Sequence, residues 1–152
     1  MTQEQDYATM AAGPEMDRLI GARLFGYWVY KYDKGYAPYW QLLDPELNPV
    51  ALYDANTSMR DTERASEAEA WEDCPEFSGV NWWSVVEHLA ARNWTLNLQW
   101  KGADREYANT AEVSLTRWDG RLPETAHAVG DTAPLAICRA ALATLLYQDV
   151  QL

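Results

Sequence analysis

The sequence predicts an α+β fold, in the form of a layered α-β-α sandwich with a mainly antiparallel sheet and an amphipathic C-terminal helix. Two observations support this prediction. Apolar residues recur at helical spacing in three separate segments, and apolar and polar residues alternate along two neighbouring segments in the second half. At 152 residues the chain is expected to form a single domain, residues 1–152, with a flexible stretch at residues 1–13.

The first half of the chain predicts one helix and several strands. Pro14 is expected to begin a helix over residues 14–26, and Gly26 to end it. Residues 27–32 read YWVYKY, which is rich in strand-forming aromatic residues, and residues 34–35 predict a turn. Residues 39–43 and 49–53 flank a DPELN loop, and this pattern predicts a β-hairpin.

Residues 54–76 are predicted to be an acidic insertion or loop. Their second part, residues 61–76, carries seven carboxylates and two alanine-rich turns. This composition favours a short solvated helix or, as the alternative, a mobile loop. Trp71 is the one apolar anchor that the segment offers.

The second half predicts a helix, a hairpin and a final helix. Residues 81–92 place apolar side chains on one helical face, with Asn81 as the cap. Residues 94–100 and 111–116 alternate between apolar and polar side chains, which predicts an antiparallel pair with one buried face. A loop through Pro123 and Gly130 is expected to lead to an amphipathic helix over residues 131–147.

Five short sequence patterns in the chain, taken together, resemble those of one protein family. They are Pro75, Phe77 and Ser78, the Trp-Val-Val-x-x-Leu helix from Trp82 to Leu89, the hairpin after it, the terminal GDTAPLAICRAAL, and the opening MDRLIGARLFGYWVY. In these features, over residues 16–32 and 75–147, the chain resembles the phage ABA sandwich domain, a family of small phage proteins. Residues 36–74 depart from the family pattern. The resemblance implies an α-β-α layered fold and a phage or prophage origin, and it brings no catalytic residues.

Composition narrows the class of partner. The net charge of −11 repels nucleic-acid backbone, so no nucleic-acid partner is expected. No apolar run is long enough for a membrane span, and the polar N-terminus differs from a signal peptide. The two cysteines, Cys74 and Cys138, are interpreted as free thiols in a reducing compartment. We therefore expect a cytoplasmic protein, within an infected bacterial host if the resemblance holds.

Catalytic chemistry is not predicted. The only histidines are His88, expected to face solvent from a helix, and His127, expected in a loop of small residues. Cys138 falls on a buried helical stripe, and the acidic neighbours of Cys74 disfavour its thiolate. The chain has no nucleophile elbow, phosphate-binding loop or dinucleotide fingerprint. We expect no enzyme, no metal and no cofactor.

A binding site is predicted at one end of the second hairpin. Arg117 falls in register with the apolar residues of its strand and Trp118 with the polar ones, and such a break marks a bulge or a site. The other candidate ligand-binding residues, expected near the same end, are Trp83, Trp100, Tyr107, Arg121 and Thr132 at the start of the final helix. The alternative is a strand end at which Arg117 covers aromatic rings.

Two functions of different classes follow. The first is a non-enzymatic phage accessory protein that sequesters a nucleotide-type immune signal, with a site completed in a homo-oligomer. The second is an acidic protein-interaction module that blocks or bridges a host or phage protein through residues 61–76 and exposed aromatics such as Trp40 and Trp71. An enzyme that cleaves the same signal requires a constellation that the sequence does not display.

Overall fold

The computed structural model describes residues 7–35, 37–51, 59–101, 110–120 and 122–148. These residues form helices and two antiparallel sheets, which confirms the predicted α+β class. The chain divides into two compact units. We call Asp17–Pro75 the hairpin unit, and Met1–Met16 with Glu76–Leu152 the sheet unit. The single domain inferred from length stays a prediction.

The hairpin unit contains two strands and short helical segments. Helix α1 (Pro14–Arg23) begins in the sheet unit and continues here, and Gly26 follows it with a φ of +75°, a conformation that glycine tolerates best. Strands β1 (Trp28–Tyr32) and β2 (Tyr39–Leu43) come next. A 3-10 turn (Met59–Thr62) and helix α2 (Glu67–Trp71) complete the unit.

The pairing of β2 goes beyond the sequence prediction. β2 pairs with β1, Trp28 opposite Leu43 and Tyr32 opposite Tyr39, and the predicted pairing with residues 49–53 is present at its start, where the Val50 amide donates to the Leu42 carbonyl at 2.9 Å. Pro49 makes an isolated bridge to Leu43, and residues 52–53 lie outside the described part of the chain. The Asp44 carboxylate accepts hydrogen bonds from the amides of residues 46 and 48, so the chain turns tightly.

The acidic segment is helical in two short stretches among its described residues. Residues 54–58 lie outside the described residues. Ser66 caps α2 by accepting a hydrogen bond from the Glu69 amide at 3.2 Å, and Glu69 Oε2 accepts one from the Ala65 amide. The Arg18 guanidinium lies 4.7 Å from the centre of the half-buried Trp71 ring. The short-helix interpretation of this segment therefore applies to residues 67–71.

The sheet unit contains three strands and three helices among its described residues. Its elements are α3 (Trp82–Ala91), β3 (Thr95–Lys101), β4 (Thr110–Asp119), β5 (Leu122–Gly130), α4 (Ala133–Ala143) and α5 (Leu145–Gln148). The strands are antiparallel in the order β3-β4-β5. The loop predicted through Pro123 and Gly130 is wrong, because these residues belong to β5.

Helix α4 lies against β4 and β5 and forms the centre of this unit. Seven of its eleven residues are buried. Thr132 caps it through its hydroxyl, which accepts a hydrogen bond from the Leu135 amide. The helix is shorter than the predicted 131–147, since it ends at Ala143 and α5 follows separately. The buried Cys138 thiol donates to the Phe77 carbonyl at 3.1 Å, in line with its predicted core position.

The predicted flexible segment is described only in part. Residues 1–6 lie outside the described residues. Arg139 Nε donates to the Met10 carbonyl at 2.9 Å, and the Gly13 amide donates to Ser78 Oγ at 3.1 Å. These two bonds hold residues 10 and 13 within the sheet unit. Separately, no described helix has the length and apolar character needed to cross a membrane.

Candidate functional site

Arg117 is held within the fold by Glu124. Its Nη2 donates to Glu124 Oε1 at 3.0 Å and Oε2 at 3.3 Å, and its Nε donates to Oε1 at 3.2 Å. The guanidinium carbon lies 4.5 Å from the centre of the Trp94 ring. Glu124 stands opposite Arg117 in the ladder and is only 8% exposed. The arrangement matches the alternative in which arginine covers an aromatic ring, and its charge is already paired.

Two of the three tryptophans of the predicted site, Trp100 and Trp118, lie far apart. Trp100 is opposite Ala111, at the start of β4, whereas Trp118 lies seven residues further along that strand. Seven residues of strand correspond to about 23 Å, and the odd spacing places the two positions on opposite faces of the sheet. Both side chains are exposed, Trp118 by 72%. The expectation that these residues meet at one end of the sheet is wrong for this pair.

The remaining predicted residues form no cluster with Arg117 among the described residues. Trp83 lies in the first turn of α3, exposed, with its ring edge-on to Trp82 at 5.3 Å. The Thr132 hydroxyl caps α4. Tyr107 and Arg121 lie outside the described residues. The structure thus brings together Arg117 with Trp94 and Glu124, two residues that the sequence prediction did not place in the site.

The histidines differ from their predicted settings. His88 is 9% exposed rather than solvent-facing, because α3 turns this position inward. Arg92 Nη1 donates to His88 Nδ1 at 3.1 Å. Burial first, and then the Arg92 charge, lowers the pKa of His88 from 6.5 to about 4. His127 lies on β5 rather than in a loop, with its Nε2 2.8 Å from Glu112 Oε1.

Neither cysteine is activated. Burial first, and then the Asp17 charge, raises the pKa of Cys74 from 9.0 to about 12, and Cys138 is fully buried. Within the described part of the chain, no group of three or more His, Cys, Asp or Glu side chains is arranged to hold a metal ion.

A surface that the sequence analysis did not identify lies on the β1–β2 hairpin. Alternate residues of a strand share a face, so Trp28, Tyr30 and Tyr32 of β1 lie on one side, joined by Tyr39 opposite Tyr32. We call these four residues the aromatic face. The Trp28 and Tyr30 rings meet edge-on at 6.0 Å, and the Tyr32 and Tyr39 rings stack at 4.9 Å.

The β1 side of the aromatic face is open to solvent. Trp28 is 39% and Tyr30 is 41% exposed. Their cross-strand neighbours on β2, Leu43 and Gln41, are buried, and Gln41 Nε2 donates to Thr62 Oγ1 at 2.7 Å. The 3-10 turn therefore covers part of the face at β2, and the rings of β1 remain accessible.

Carboxylates and phenols shape the electrostatics of this surface. The pKa of the Tyr39 hydroxyl is raised by desolvation first, then by Glu63, Tyr32 and Tyr30. One carboxylate and two further hydroxyls therefore act on the Tyr39 hydroxyl at one end of the aromatic face. Helix α2 packs against both strands and carries exposed carboxylates at residues 67 and 69, with a third at residue 72 just after it.

The sequence does contain a sign of this surface. Residues 28, 30 and 32 are aromatic at strand spacing. The alternation was interpreted only as strand propensity, because a row of aromatic residues is equally compatible with a buried face. The exposure of residues 28 and 30 depends on the position of β1 in a two-stranded sheet with β2, and the sequence analysis does not predict this pairing.

Comparison with known proteins identifies no relative. No family model matches the chain, and no curated protein or solved structure is significantly similar to it. The resemblance to the phage ABA sandwich domain stays a prediction, as do the phage origin and the cytoplasmic location.

Proposed function

We propose that this protein is a non-enzymatic protein-interaction module that binds a basic partner through the aromatic face. The observation that carries the proposal is the row of Trp28, Tyr30 and Tyr32, of which the first two are exposed and Tyr32 is half-buried, with Tyr39 beside it on one side of the hairpin. Tryptophan and tyrosine are enriched at protein interfaces and dominate binding energy there.

The grouping of these rings supports the proposal more than their exposure does. Single exposed apolar residues are common on protein surfaces and need no explanation. Here four rings lie next to one another on the same face and contact each other in pairs. Contiguous patches of this kind are typical of interaction sites.

Charge favours a basic partner. The chain carries 23 acidic and 12 basic residues, and the described carboxylates of α2 are exposed beside the hairpin. In the same segment the Arg64 guanidinium is already paired with Asp73 at 2.8 Å. Complementary charge steers such a surface towards cationic proteins, and aromatic rings attract arginine and lysine side chains.

Sequestration of a nucleotide signal receives less support. It requires a cation open to the ligand, and Arg117 is instead bonded to Glu124. It also requires the tryptophans to converge, whereas Trp100 lies on β3 opposite the start of β4 and Trp118 lies near the end of β4. The accompanying homo-oligomer stays a prediction, and association of like copies must overcome a charge of −11 on each.

The test is a pull-down from a cell lysate that compares the proteins retained by three immobilised forms of the chain. The forms are the wild type, the double variant Trp28→Thr/Tyr30→Thr, and the control Trp118→Thr, which removes a more exposed tryptophan from the sheet unit. Threonine keeps strand propensity, so the hairpin is expected to remain folded. We expect one basic protein to be retained by the wild type and the control and lost by the double variant.

Two results contradict the proposal. The first is an identical set of retained proteins for all three forms, with circular dichroism showing that the double variant is folded. The second is a thermal shift of several degrees with a cyclic dinucleotide or an ADP-ribose derivative, because a ligand at 100-fold its dissociation constant adds about 2.7 kcal/mol. That result supports sequestration instead.

A further inference from the structure

The outer edge of β1 has unpaired backbone groups among the described residues. The Trp40 amide and carbonyl exchange hydrogen bonds with Arg64, at 2.9 Å and 2.8 Å, so they point away from β1. The direction of the backbone N–H and C=O groups alternates along a strand. Those of Tyr39, Gln41 and Leu43 in β2 therefore point towards β1. The residues opposite Trp40 and Leu42, which are Lys31 and Val29, therefore direct their N–H and C=O groups outward.

In the sheet unit, by contrast, side chains cover the outer edge of β5. On β5 the Thr125 amide donates to the Tyr147 hydroxyl at 2.9 Å, and this hydroxyl donates to the Thr125 carbonyl at 2.6 Å. Arg139 Nη1 donates to the Val129 carbonyl at 2.8 Å. Natural proteins usually cover or block edge strands in such ways. Across the described residues, no comparable side-chain bond reaches Val29 or Lys31.

The Lys31 side chain does not cover the outer edge of β1 on the side of the aromatic face. Its side chain lies on the opposite face of β1, with Nζ 5.4 Å from the centre of the Trp40 ring. Strand β3 is also an outer strand, but its exposed side chains at residues 95, 97 and 99 are polar, and Trp100 is a single exposed ring rather than part of a row. The β1 edge thus combines outward backbone groups with the exposed rings of Trp28 and Tyr30.

The geometry points to β1 as the site at which an extended basic segment of a partner protein adds as a further strand. This inference rests on the proposed function and specifies how the partner is held. Added antiparallel to β1, the segment exchanges backbone hydrogen bonds with Val29 and Lys31. Its alternate side chains lie beside Trp28, Tyr30 and Tyr32, where arginine or lysine contacts the rings. A second copy of this chain is disfavoured as the occupant by its own charge of −11.

The probe is a fluorescent peptide of about nine residues in which arginine alternates with threonine, enough to cover the five residues of β1. When threonine lies opposite Val29 and Lys31, the threonine N–H groups point at β1 and the arginine N–H groups point away. N-methylation of the threonines is therefore expected to weaken binding at least tenfold. N-methylation of the arginines is the matched control and is expected to leave binding nearly unchanged.

Protein variants separate this inference from the proposed function. If Tyr30→Thr abolishes peptide binding but both methylated peptides bind equally well, the aromatic face binds without strand addition, and the inference is overturned alone. If the unmodified peptide does not bind the wild-type protein, the strand-addition inference and the proposed function are both overturned. If sedimentation shows a dimer that the peptide dissociates, a second copy occupies the edge, and the assignment to a basic partner segment is overturned.

Discussion

Arg117 and Glu124 are the clearest case of a charged pair that serves stability. Glu124 is nearly buried, and Arg117 provides its hydrogen-bond donors. Arg117→Ala leaves this carboxylate without that partner, and we expect a loss of roughly 2–4 kcal/mol in the free energy of unfolding. Urea denaturation measures the loss. A double-mutant cycle with Glu124→Ala is expected to show strong coupling between the two side chains, and additive effects would contradict the assignment.

His88 makes stability depend on pH. Because its folded pKa of about 4 lies below the ordinary 6.5, the unfolded chain takes up a proton first as the pH falls. The stability contributed by the neutral imidazole is present above about pH 6.5 and is lost progressively down to about pH 4. The loss is on the order of 3 kcal/mol relative to a side chain that does not titrate.

The measurement is denaturant unfolding of the wild type and of His88→Gln between about pH 7 and pH 4. Glutamine retains polarity without titrating, so the carboxylates common to both proteins cancel in the difference. We expect the wild type to lose more stability than the variant over this range. Parallel pH profiles would show that His88 is accessible to protons in the folded state.

At the scale of elements, the passage from β5 into α4 depends on Gly130. A Cβ at this position lies 2.9 Å from the Ala136 amide nitrogen and 3.1 Å from Leu135 Cγ. Gly130→Ala is therefore expected to cost roughly 1–3 kcal/mol, because backbone must move. Gly79→Ala is the control, since its Cβ meets only ordinary contacts, the nearest at 3.6 Å. A thermal midpoint for Gly130→Ala equal to that of the control would contradict this packing.

Elements with strong apolar periodicity were predicted correctly, as were β1 and β2, which have strong strand propensity. Helix α3 and strands β3 and β4 have clear apolar repeats, and each was predicted within a few residues. Strand β5 was missed because its buried positions are Glu124, Ala126, Ala128 and Gly130, which carry little hydrophobic signal.

The error at the site follows from the missing strand. Without β5, nothing in the sequence places Glu124 opposite Arg117, and the arginine looks free to bind an anion. The aromatic face was missed for a similar reason. Residues 28, 30 and 32 are visible in the sequence, but their exposure depends on β1 pairing with β2 and on the 3-10 turn contacting Gln41.

At the scale of the whole molecule, the acidic charge and the aromatic face act together in the proposed function. The whole chain carries a net charge of −11. Its electric field favours the approach of cations over a distance set by the salt concentration. The rings and the β1 edge then supply contacts at short range. Binding of the arginine peptide is accordingly expected to weaken as salt is raised, mainly through slower association.

The most direct test of the account is amide hydrogen exchange at β1, residue by residue, in the free protein and with the arginine peptide. In the free protein we expect the Tyr30 amide, which faces Gln41, to exchange slowly, and the Val29 and Lys31 amides to exchange fast. With saturating peptide, Val29 and Lys31 are expected to become protected. Slow exchange of these two amides in the free protein, or fast exchange with the peptide bound, would contradict the assignment of β1 as the docking edge.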